Sequence, residues 1–387
     1  MNIRISSAVR NVKPVYMGAD HFPVVFSNIG MSSADAPLCG ELERLRAVID
    51  AGADAVSDLT LVGDIAYEQQ RMLEAASVPF ASVAAYEVYS PSRTALALPH
   101  PEDFLRVFEA QAARGVDIIT IHATARKGDL ASLDSHGRLI PCTSRGGAMM
   151  LELMEKGGYE NPYYEYFDDV LAICRRYRTC ISLGPAYRPG SVADAGVEDA
   201  LHFTELLRMG ELVGRAEAAG VGITIEGIGH APINRIPVLV TRAREITGLA
   251  PYRVLNVATD IAMGFDHVSS AIGSSVAVQY GADSITAVTR SEHLGIPTLP
   301  DLVEAVRSAR VAAYCGYAAR RDDFSRDAEM ARARNARGCI GCSEAALFPE
   351  LVSEYIEKNR IIKKDESCTM CGDCCPFLIL KKKGDTQ

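Results

Sequence analysis

The sequence lacks an excess of positive charge, a long apolar run and an N-terminal leader pattern, and each absence excludes a class of protein. Its 40 Lys and Arg residues are outnumbered by 49 Asp and Glu residues, so we expect no nucleic-acid partner. No segment approaches the roughly 20 consecutive apolar residues of a membrane span, so we expect no membrane association. The opening "MNIRISSAVRNVK" has no apolar signal-peptide core, and we therefore expect a cytoplasmic protein.

The sequence does contain a regular alternation of short apolar runs and longer helical patterns. Eight runs are strand candidates: 23–30, 53–60, 79–86, 117–123, 179–185, 222–229, 253–259 and 283–289. Strict alternation of strands with helices is typical of a parallel sheet. Eight such units predict an α/β protein with a closed (β/α)8, TIM-like barrel. The alternative is an open doubly wound sheet, but no G-x-G-x-x-G motif follows the first strand.

The composition changes after residue 320. The segment "RRDDFSRDAEMARARNARG" is charged and predicts a helix, and a cysteine pair, a second charged helix, a cysteine cluster and a lysine-rich end follow it. We therefore predict a barrel catalytic domain over 1–321 and a C-terminal helical segment with a cysteine-rich tail over 322–387. In a cytosolic chain, 11 cysteines indicate metal or cluster ligands rather than a disulfide framework.

Polar side chains stand where the predicted strands end, which is where barrel enzymes place their active sites. In chain order they are Asn28, Asp58, Tyr86, His122, Arg188, Glu226, His230, Asp260, Glu292 and His293. Any one of them taken alone could equally be a helix cap or a solvated loop residue. The convergence of all eight strand ends favours a functional site.

Two of the motifs indicate particular ligands. His230 in "EGIGH" and His293 in "SEHLGIP" follow separate strands, and two imidazoles can share a divalent metal; the alternative is two unrelated loop histidines. In "TSRGGAMM", Ser144, Arg145 and Gly146 precede a helical run and can meet a phosphate; the alternative is a plain glycine turn.

The tail carries four cysteines within "CTMCGDCC", and an earlier "CIGC" supplies Cys339 and Cys342. Two C-x2-C pairs can hold a structural zinc ion. Alternatively, Cys368, Cys371 and Cys375 can hold three irons of one [4Fe–4S] cluster and leave the fourth iron free for S-adenosylmethionine. The residues alone leave both readings open.

Several motifs in order give the chain a resemblance to a known family: "SNIG", "GADAVSDLT", "ITIHA", "SRGG", "RPGS", "TDIA", "SAIG" and "EHLGIP". They resemble the phosphomethylpyrimidine synthase (ThiC) family of radical S-adenosylmethionine enzymes, from about residue 24 to 320 and again at the cysteine tail. The resemblance implies a (β/α)8 barrel, a C-terminal tail with a C-x2-C-x4-C [4Fe–4S] site, and a homodimer. It also implies a carbon–carbon lyase that acts on aminoimidazole ribotide.

The same resemblance assigns roles to individual residues. It implies substrate contacts from Asn28, Ser57, Tyr86, His122, Ser144, Arg145, Gly146, Arg188 and Glu226. Of these, Glu226 and His122 are the expected catalytic residues. It also implies that His230 and His293 bind a metal ion, usually zinc, which favours the metal reading of that pair.

The chain departs from the family pattern near the substrate and in the tail. Ser57 replaces a methionine, Pro185, Ala186 and Tyr187 replace the family's Asp-Gly-Leu, and Arg253 replaces a tyrosine. Pro376 occupies the position of the third cluster cysteine, so we expect Cys375 to replace it, with Cys374 as the second candidate. The family's N-terminal domain is expected to be almost wholly absent, and "CIGC" is additional.

These departures suggest a paralogue and leave more than one function open. We expect a radical enzyme that makes 4-amino-5-hydroxymethyl-2-methylpyrimidine phosphate from aminoimidazole ribotide, with flavodoxin or ferredoxin as the reducing partner. The alternative within the family is a 5-hydroxybenzimidazole synthase that uses the same ribotide. Remoter alternatives are a non-radical zinc-dependent barrel enzyme and a member that binds ribotide without turnover.

Overall fold

The computed structural model describes residues 1–32, 40–90, 97–129, 137–196, 198–358, 370–376 and 379–380. The chain forms two compact units, Met1–Arg320 and Arg321–Gln387, and each is described by itself. The assignment of catalysis to the first and of a cluster to the second stays a prediction.

The first unit is a closed barrel of eight parallel strands, which confirms the predicted (β/α)8 architecture. Two short strands, β1 (Ile3–Ile5) and β2 (Val15–Met17), form a separate antiparallel hairpin before it. The barrel strands in chain order are β3 (Val24–Ile29), β4 (Ala55–Asp58), β5 (Phe80–Val83), β6 (Ile118–Ile121), β7 (Cys180–Leu183), β8 (Ile223–Glu226), β9 (Tyr252–Val254) and β10 (Ser284–Ala287). β10 pairs with β3 and closes the ring.

Amphipathic helices alternate with these strands and pack their apolar faces on the barrel. Their bounds are Glu41–Asp50, Ile65–Ala75, Ala84–Tyr89, Pro101–Arg114, Arg145–Gly157, Pro162–Glu165, Phe167–Tyr177, Ala200–Ala218, Ile236–Ile246, Asp266–Gln279 and Leu299–Arg321. The largest buried cluster lies between helices and strands, because strands of a parallel barrel are covered on their outer face.

The N-terminal hairpin fills the end of the barrel where the strands begin. Ile3, Ile5 and Met17 are buried in one apolar cluster with residues from the first half of five barrel strands. Those strand residues are Val24, Phe26, Ala55, Ala81, Ile118 and Cys180. The sequence reading did not identify this hairpin, because each of its strands has only three residues. With the strand starts covered, the opposite end is left for a site.

All eight barrel strands are shorter than the predicted runs, and at two of them the difference changes the element to which a predicted residue or segment belongs. β5 ends at Val83, so Tyr86 belongs to the short helix Ala84–Tyr89 rather than to a strand end. β9 ends at Val254, and the predicted remainder of that strand is loop. In the long connection after β6, the predicted helical run is confirmed as the helix Arg145–Gly157.

The second unit contains the helices Ser325–Ala345 and Pro349–Lys358, and a single 3-10 turn over Gly372–Cys374. Gly338 breaks the first helix, with a φ of 59° and a ψ of −143°, just before the "CIGC" pair. Cys368 lies outside the described residues. In the part of the chain that is described, no helix is long and apolar enough to cross a membrane.

Candidate active site

Buried polar atoms without hydrogen-bond partners gather inside the barrel near the carboxyl ends of its strands. In the described part of the chain these atoms include Oδ1 of Asn28, Oγ of Ser57, Nδ1 of His122, and Nε and Nη1 of both Arg188 and Arg253. Because buried polar groups are nearly always paired, such a set marks a place for a polar ligand. The predicted residues Asn28, Ser57, His122 and Arg188 all belong to it.

Glu226 ends β8 and is buried among hydrogen-bond donors from neighbouring strands. Its Oε1 accepts from Oγ of Ser182 at 2.9 Å and from Oγ1 of Thr120 at 3.3 Å. Nη2 of Arg253 lies 3.5 Å from the same oxygen, too far for a strong hydrogen bond. Among the described residues nothing hydrogen-bonds Oε2, so that oxygen is available to a ligand.

The charges around Glu226 keep it ionised. Burial by itself would raise the pKa of this carboxyl group, but the guanidinium groups of Arg253 and Arg188 and the hydrogen bond from Ser182 outweigh burial and hold its pKa below the ordinary value. A carboxylate inside a barrel is therefore present at neutral pH, and it can accept hydrogen bonds or a proton from a substrate.

His122 follows β6 directly and is the neutral partner in this group. Burial, together with the positive charge of Arg188, lowers the pKa of His122 to about 4, against the opposing effect of Glu226. The imidazole is therefore uncharged at neutral pH. A neutral imidazole with an unpartnered Nδ1 can orient a hydroxyl group or receive a proton.

The "SRGG" motif forms the start of the helix Arg145–Gly157. Oγ of Ser144 caps this helix by accepting from the backbone N–H of Gly147 at 3.1 Å. The helix start lies so close to the site that a Cβ on Gly146 would be 2.1 Å from Cε1 of His122. The exposed Arg145 places its guanidinium carbon 5.8 Å from the centre of the Tyr86 ring. A helix start beside an arginine is suited to a phosphate group.

The close approach at Gly146 gives a direct test of this geometry. We expect Gly146→Ala to displace the helix start or the His122 ring, lowering stability by about 1–3 kcal/mol and the affinity for inorganic phosphate by at least about 10-fold. Urea unfolding and calorimetric titration with inorganic phosphate measure the two effects. Gly214→Ala is the control, because nothing lies within 4 Å of its added Cβ. Equal phosphate affinity in both variants would contradict the placement of this helix start at the site.

His230 and His293 are brought together as a pair. Their ring centroids are 5.2 Å apart, and two imidazoles bound to one tetrahedral zinc at about 2.0–2.1 Å place their centroids roughly 5 Å apart. Nδ1 of His230 lies 2.7 Å from Oδ1 of Asp260, and Nδ1 of His293 lies 3.2 Å from Oδ1 of Asp266. The pair therefore fits a divalent metal. Across the described residues no set of three or more His, Cys, Asp or Glu side chains is placed to hold one.

A cavity of about 290 Å³ opens on the same end of the barrel. It is lined by Asn28 and Arg145 of the predicted set and by Arg44, Thr289 and Glu292. Sequence reasoning placed Glu292 at a strand end but gave it no role. The cavity brings this carboxyl group and two arginines to one opening beside the barrel interior.

Asp58, at the end of β4, is engaged in a local turn. Its Oδ1 accepts from the backbone N–H and the Oγ1 of Thr60, at 2.9 and 2.5 Å, and closes a local turn. Burial raises the pKa of Asp58 to about 6. Asp58 caps no helix, because the next helix, Ile65–Ala75, is capped by Asp64; its carboxyl group closes a buried turn instead.

Glu205 is a site-supporting residue that sequence reasoning missed. It lies on the buried face of the helix Ala200–Ala218 and accepts from the backbone N–H of Ala186 at 2.5 Å and of Tyr187 at 3.2 Å. The hydroxyl of Tyr187 donates to Asp129 at 2.6 Å. Glu205 thus holds the loop that carries Arg188. The sequence feature that could have identified Glu205 is a carboxyl group on the apolar face of a predicted helix.

In the second unit, Cys371 and Cys374 are exposed and Cys375 is buried, and none of the three is in a disulfide. They lie within five residues around one 3-10 turn. Cys342 is half-buried and also free. Free thiols at this spacing are a donor set that fits iron, and Cys368 would complete it from outside the described residues.

Comparison with known proteins finds relatives over nearly the whole chain. A sequence model described as "Radical SAM ThiC family" matches residues 2–382. A phosphomethylpyrimidine synthase from Carboxydothermus hydrogenoformans is 38% identical over 382 residues, which cover 97% of this chain and 88% of that protein. Another, from Archaeoglobus fulgidus, is 37% identical over 376 residues, covering 96% and 87%. The chain thus spans most of the length of both.

Proposed function

Since this chain belongs to the radical SAM ThiC family, we propose that it is a radical enzyme that converts aminoimidazole ribotide to 4-amino-5-hydroxymethyl-2-methylpyrimidine phosphate. The observation that supports the proposal is the group of buried, unpartnered polar atoms inside the barrel, next to a helix start suited to phosphate. A phosphorylated, polar heterocycle with ribose hydroxyls matches both parts of that site.

The family implies an iron–sulfur cluster and S-adenosylmethionine. We assign the cluster to Cys368, Cys371 and Cys375, with Cys374 as the second candidate for the third position. When bound, the reduced cluster supplies the 5′-deoxyadenosyl radical from S-adenosylmethionine. The protein contributes binding, orientation and exclusion of water.

The side chains of the barrel are assigned to parts of the ribotide. Arg145 and the backbone N–H groups after Ser144 hold the phosphate. Neutral His122 and ionised Glu226 bind the imidazole and the ribose hydroxyls, and each can accept a proton during the rearrangement. Arg188 supplies unpartnered N–H groups to the same ligand. Rigid placement by strand ends is what such a reaction requires of a protein.

His230 and His293 are assigned to a divalent metal, with zinc as the first candidate. Their Nδ1 atoms face carboxylates, which leaves each Nε2 with its lone pair for the metal. Two histidines leave further coordination positions for water or for a polar group of a bound molecule. A homodimer and a reducing partner such as flavodoxin or ferredoxin complete the proposal.

The test is reconstitution of the full chain with iron and sulfide under anaerobic conditions, followed by incubation with a reductant, S-adenosylmethionine and aminoimidazole ribotide. We expect 5′-deoxyadenosine and the pyrimidine phosphate in the mass spectrum. Formation of 5-hydroxybenzimidazole would assign the chain to the other product of the same ribotide. A colourless protein that forms no 5′-deoxyadenosine would refute the radical proposal.

A further inference from the structure

Asp260 makes hydrogen bonds in two directions from the loop after β9. On one side its Oδ1 lies 2.7 Å from Nδ1 of His230. On the other side its Oδ2 accepts from Oγ of Ser191 at 2.9 Å and from the backbone N–H of Val192 at 2.8 Å. A single carboxylate therefore joins the histidine of the candidate metal pair to the loop after β7.

The first contact fixes the form of the histidine. A carboxylate that accepts from Nδ1–H holds the imidazole in the tautomer whose Nε2 can bind a metal, and it also fixes the rotation of the ring. The carboxylate in turn must keep its position, because a swing of Oδ1 away from Nδ1 would free the ring. Ser191 and Val192 hold it in place by occupying the other oxygen.

The second contact fixes the loop that presents Arg188. The backbone carbonyl of Arg188 accepts from the N–H of Thr143, the residue before the helix cap Ser144. Asp194 of the same loop accepts from the backbone N–H groups of Leu139 and Ile140 at 2.8 and 3.0 Å. The loop after β7 is therefore hydrogen-bonded to the segment that leads into the phosphate-binding helix start.

We propose that Asp260 is a positioning residue that couples the two halves of the site, so that metal binding at His230 and ribotide binding at Arg188 and Ser144 strengthen each other. Such coupling is a difference in binding free energy and is reciprocal. The part of this inference that concerns ribotide binding rests on the proposed function. The part that links the metal site to the loop after β7 depends only on the contacts of Asp260. Those contacts form a continuous chain of hydrogen bonds, which a direct coupling measurement must test.

Two other residues allow the metal-side contact and the loop-side contacts of Asp260 to be tested separately. Asp266 faces His293 in the corresponding way, but in the described part of the chain it makes no hydrogen bond or ion pair with the loop after β7. Ser191 contacts Asp260 on the loop side only. Asp266→Asn therefore perturbs a metal ligand without touching the loop, and Ser191→Ala perturbs the loop without touching a metal ligand.

The experiment uses the full chain freed of divalent metal with a chelator, with Zn²⁺ alone as the probe. Zn²⁺ affinity is measured by competition with a chromophoric chelator, and amide exchange is followed in the peptide that covers residues 184–196, with and without Zn²⁺. Calorimetry then gives the affinity for aminoimidazole ribotide in the same two states. The wild-type chain is expected to show slower exchange in this peptide and tighter ribotide binding when Zn²⁺ is present.

Asp260→Asn is expected to lower Zn²⁺ affinity by about 10- to 100-fold and to abolish both effects of Zn²⁺ on the loop. Asp266→Asn is expected to lower Zn²⁺ affinity by a similar factor while keeping the loop response at saturating Zn²⁺. Ser191→Ala removes one of the two contacts to Oδ2 of Asp260 and keeps the N–H of Val192. It is therefore expected to keep Zn²⁺ affinity within about threefold of wild type and to weaken the loop response.

Unchanged Zn²⁺ affinity in Asp260→Asn would overturn the inference, and so would a wild-type loop whose exchange does not respond to Zn²⁺. If Zn²⁺ slows exchange in the wild type but aminoimidazole ribotide does not bind in either state, the proposed substrate is wrong and the link between metal and loop stands. The two failures are therefore distinguishable.

Discussion

Replacement of Cys371 by serine is expected to remove the iron–sulfur cluster and to reduce formation of 5′-deoxyadenosine by at least about 1000-fold, because three thiolates are the minimum that holds such a cluster with one open iron. The measurements are iron and sulfide content, absorbance near 400 nm, and 5′-deoxyadenosine after anaerobic reconstitution. The side chain of Cys371 is exposed, so the loss is expected without a loss of folding.

Cys315→Ser is the matched control, since Cys315 is also an exposed free cysteine but lies in the helix Leu299–Arg321. Separate Cys374→Ser and Cys375→Ser variants identify the third ligand, and we expect the loss with Cys375. A Cys371→Ser protein that keeps full iron content and turnover would refute the tail as the cluster site.

Glu226→Gln is expected to lower both stability and activity. Removing this carboxylate leaves the buried Arg253 guanidinium without a counter-ion, and breaking a buried pair in this way costs about 3 kcal/mol or more. Turnover is expected to fall by at least about 100-fold, because an amide cannot accept the proton that a carboxylate accepts. Urea unfolding and single-turnover assays measure the two effects.

The double variant Glu226→Gln with Arg253→Met separates the two causes. It removes both charges, so we expect stability to return close to wild type while turnover stays low. If Glu226→Gln alone is as stable as the wild type, then Glu226 is not the counter-ion of Arg253, and our electrostatic account of the barrel interior is wrong.

The pH dependence of the Glu226→Gln effect has a definite sign. The pKa of Glu226 is held below its ordinary value in the folded protein, so its contribution to stability is present above the unfolded pKa and is lost as pH falls through the folded one. The stability difference between wild type and Glu226→Gln should therefore be largest near neutral pH and should shrink in acid.

The sequence was sufficient for the barrel because its strands are continuous apolar runs between amphipathic helices, and parallel barrels require that pattern. It also predicted the positions of His122, Arg188 and Glu226 at the carboxyl ends of the strands, because a polar side chain directly after a buried strand lies at the rim or in the interior of the barrel; their roles stay a prediction. Asp58 shows the limit of this reasoning. Its side chain closes a turn with Thr60, and strand-end position alone does not distinguish a turn from a site.

The features of the site that could not be predicted from the sequence depend on contacts between residues that are far apart in the chain. Arg253 was noted only as a departure from a family pattern, and its position beside Glu226 follows from the pairing of β8 with β9. The contact of Asp260 with both His230 and Ser191 joins three separate loops. Glu205 holds its loop by accepting from backbone N–H groups. Since almost every residue has such a group, the sequence of the loop does not indicate the contact.

The hairpin of β1 and β2 limits how small molecules can enter and leave the barrel interior. Because Ile3, Ile5 and Met17 occupy the end of the barrel where the strands start, access to the interior is from the opposite end only. A molecule that reaches Glu226 therefore enters and leaves by the same end, and a product that stays bound excludes the next substrate.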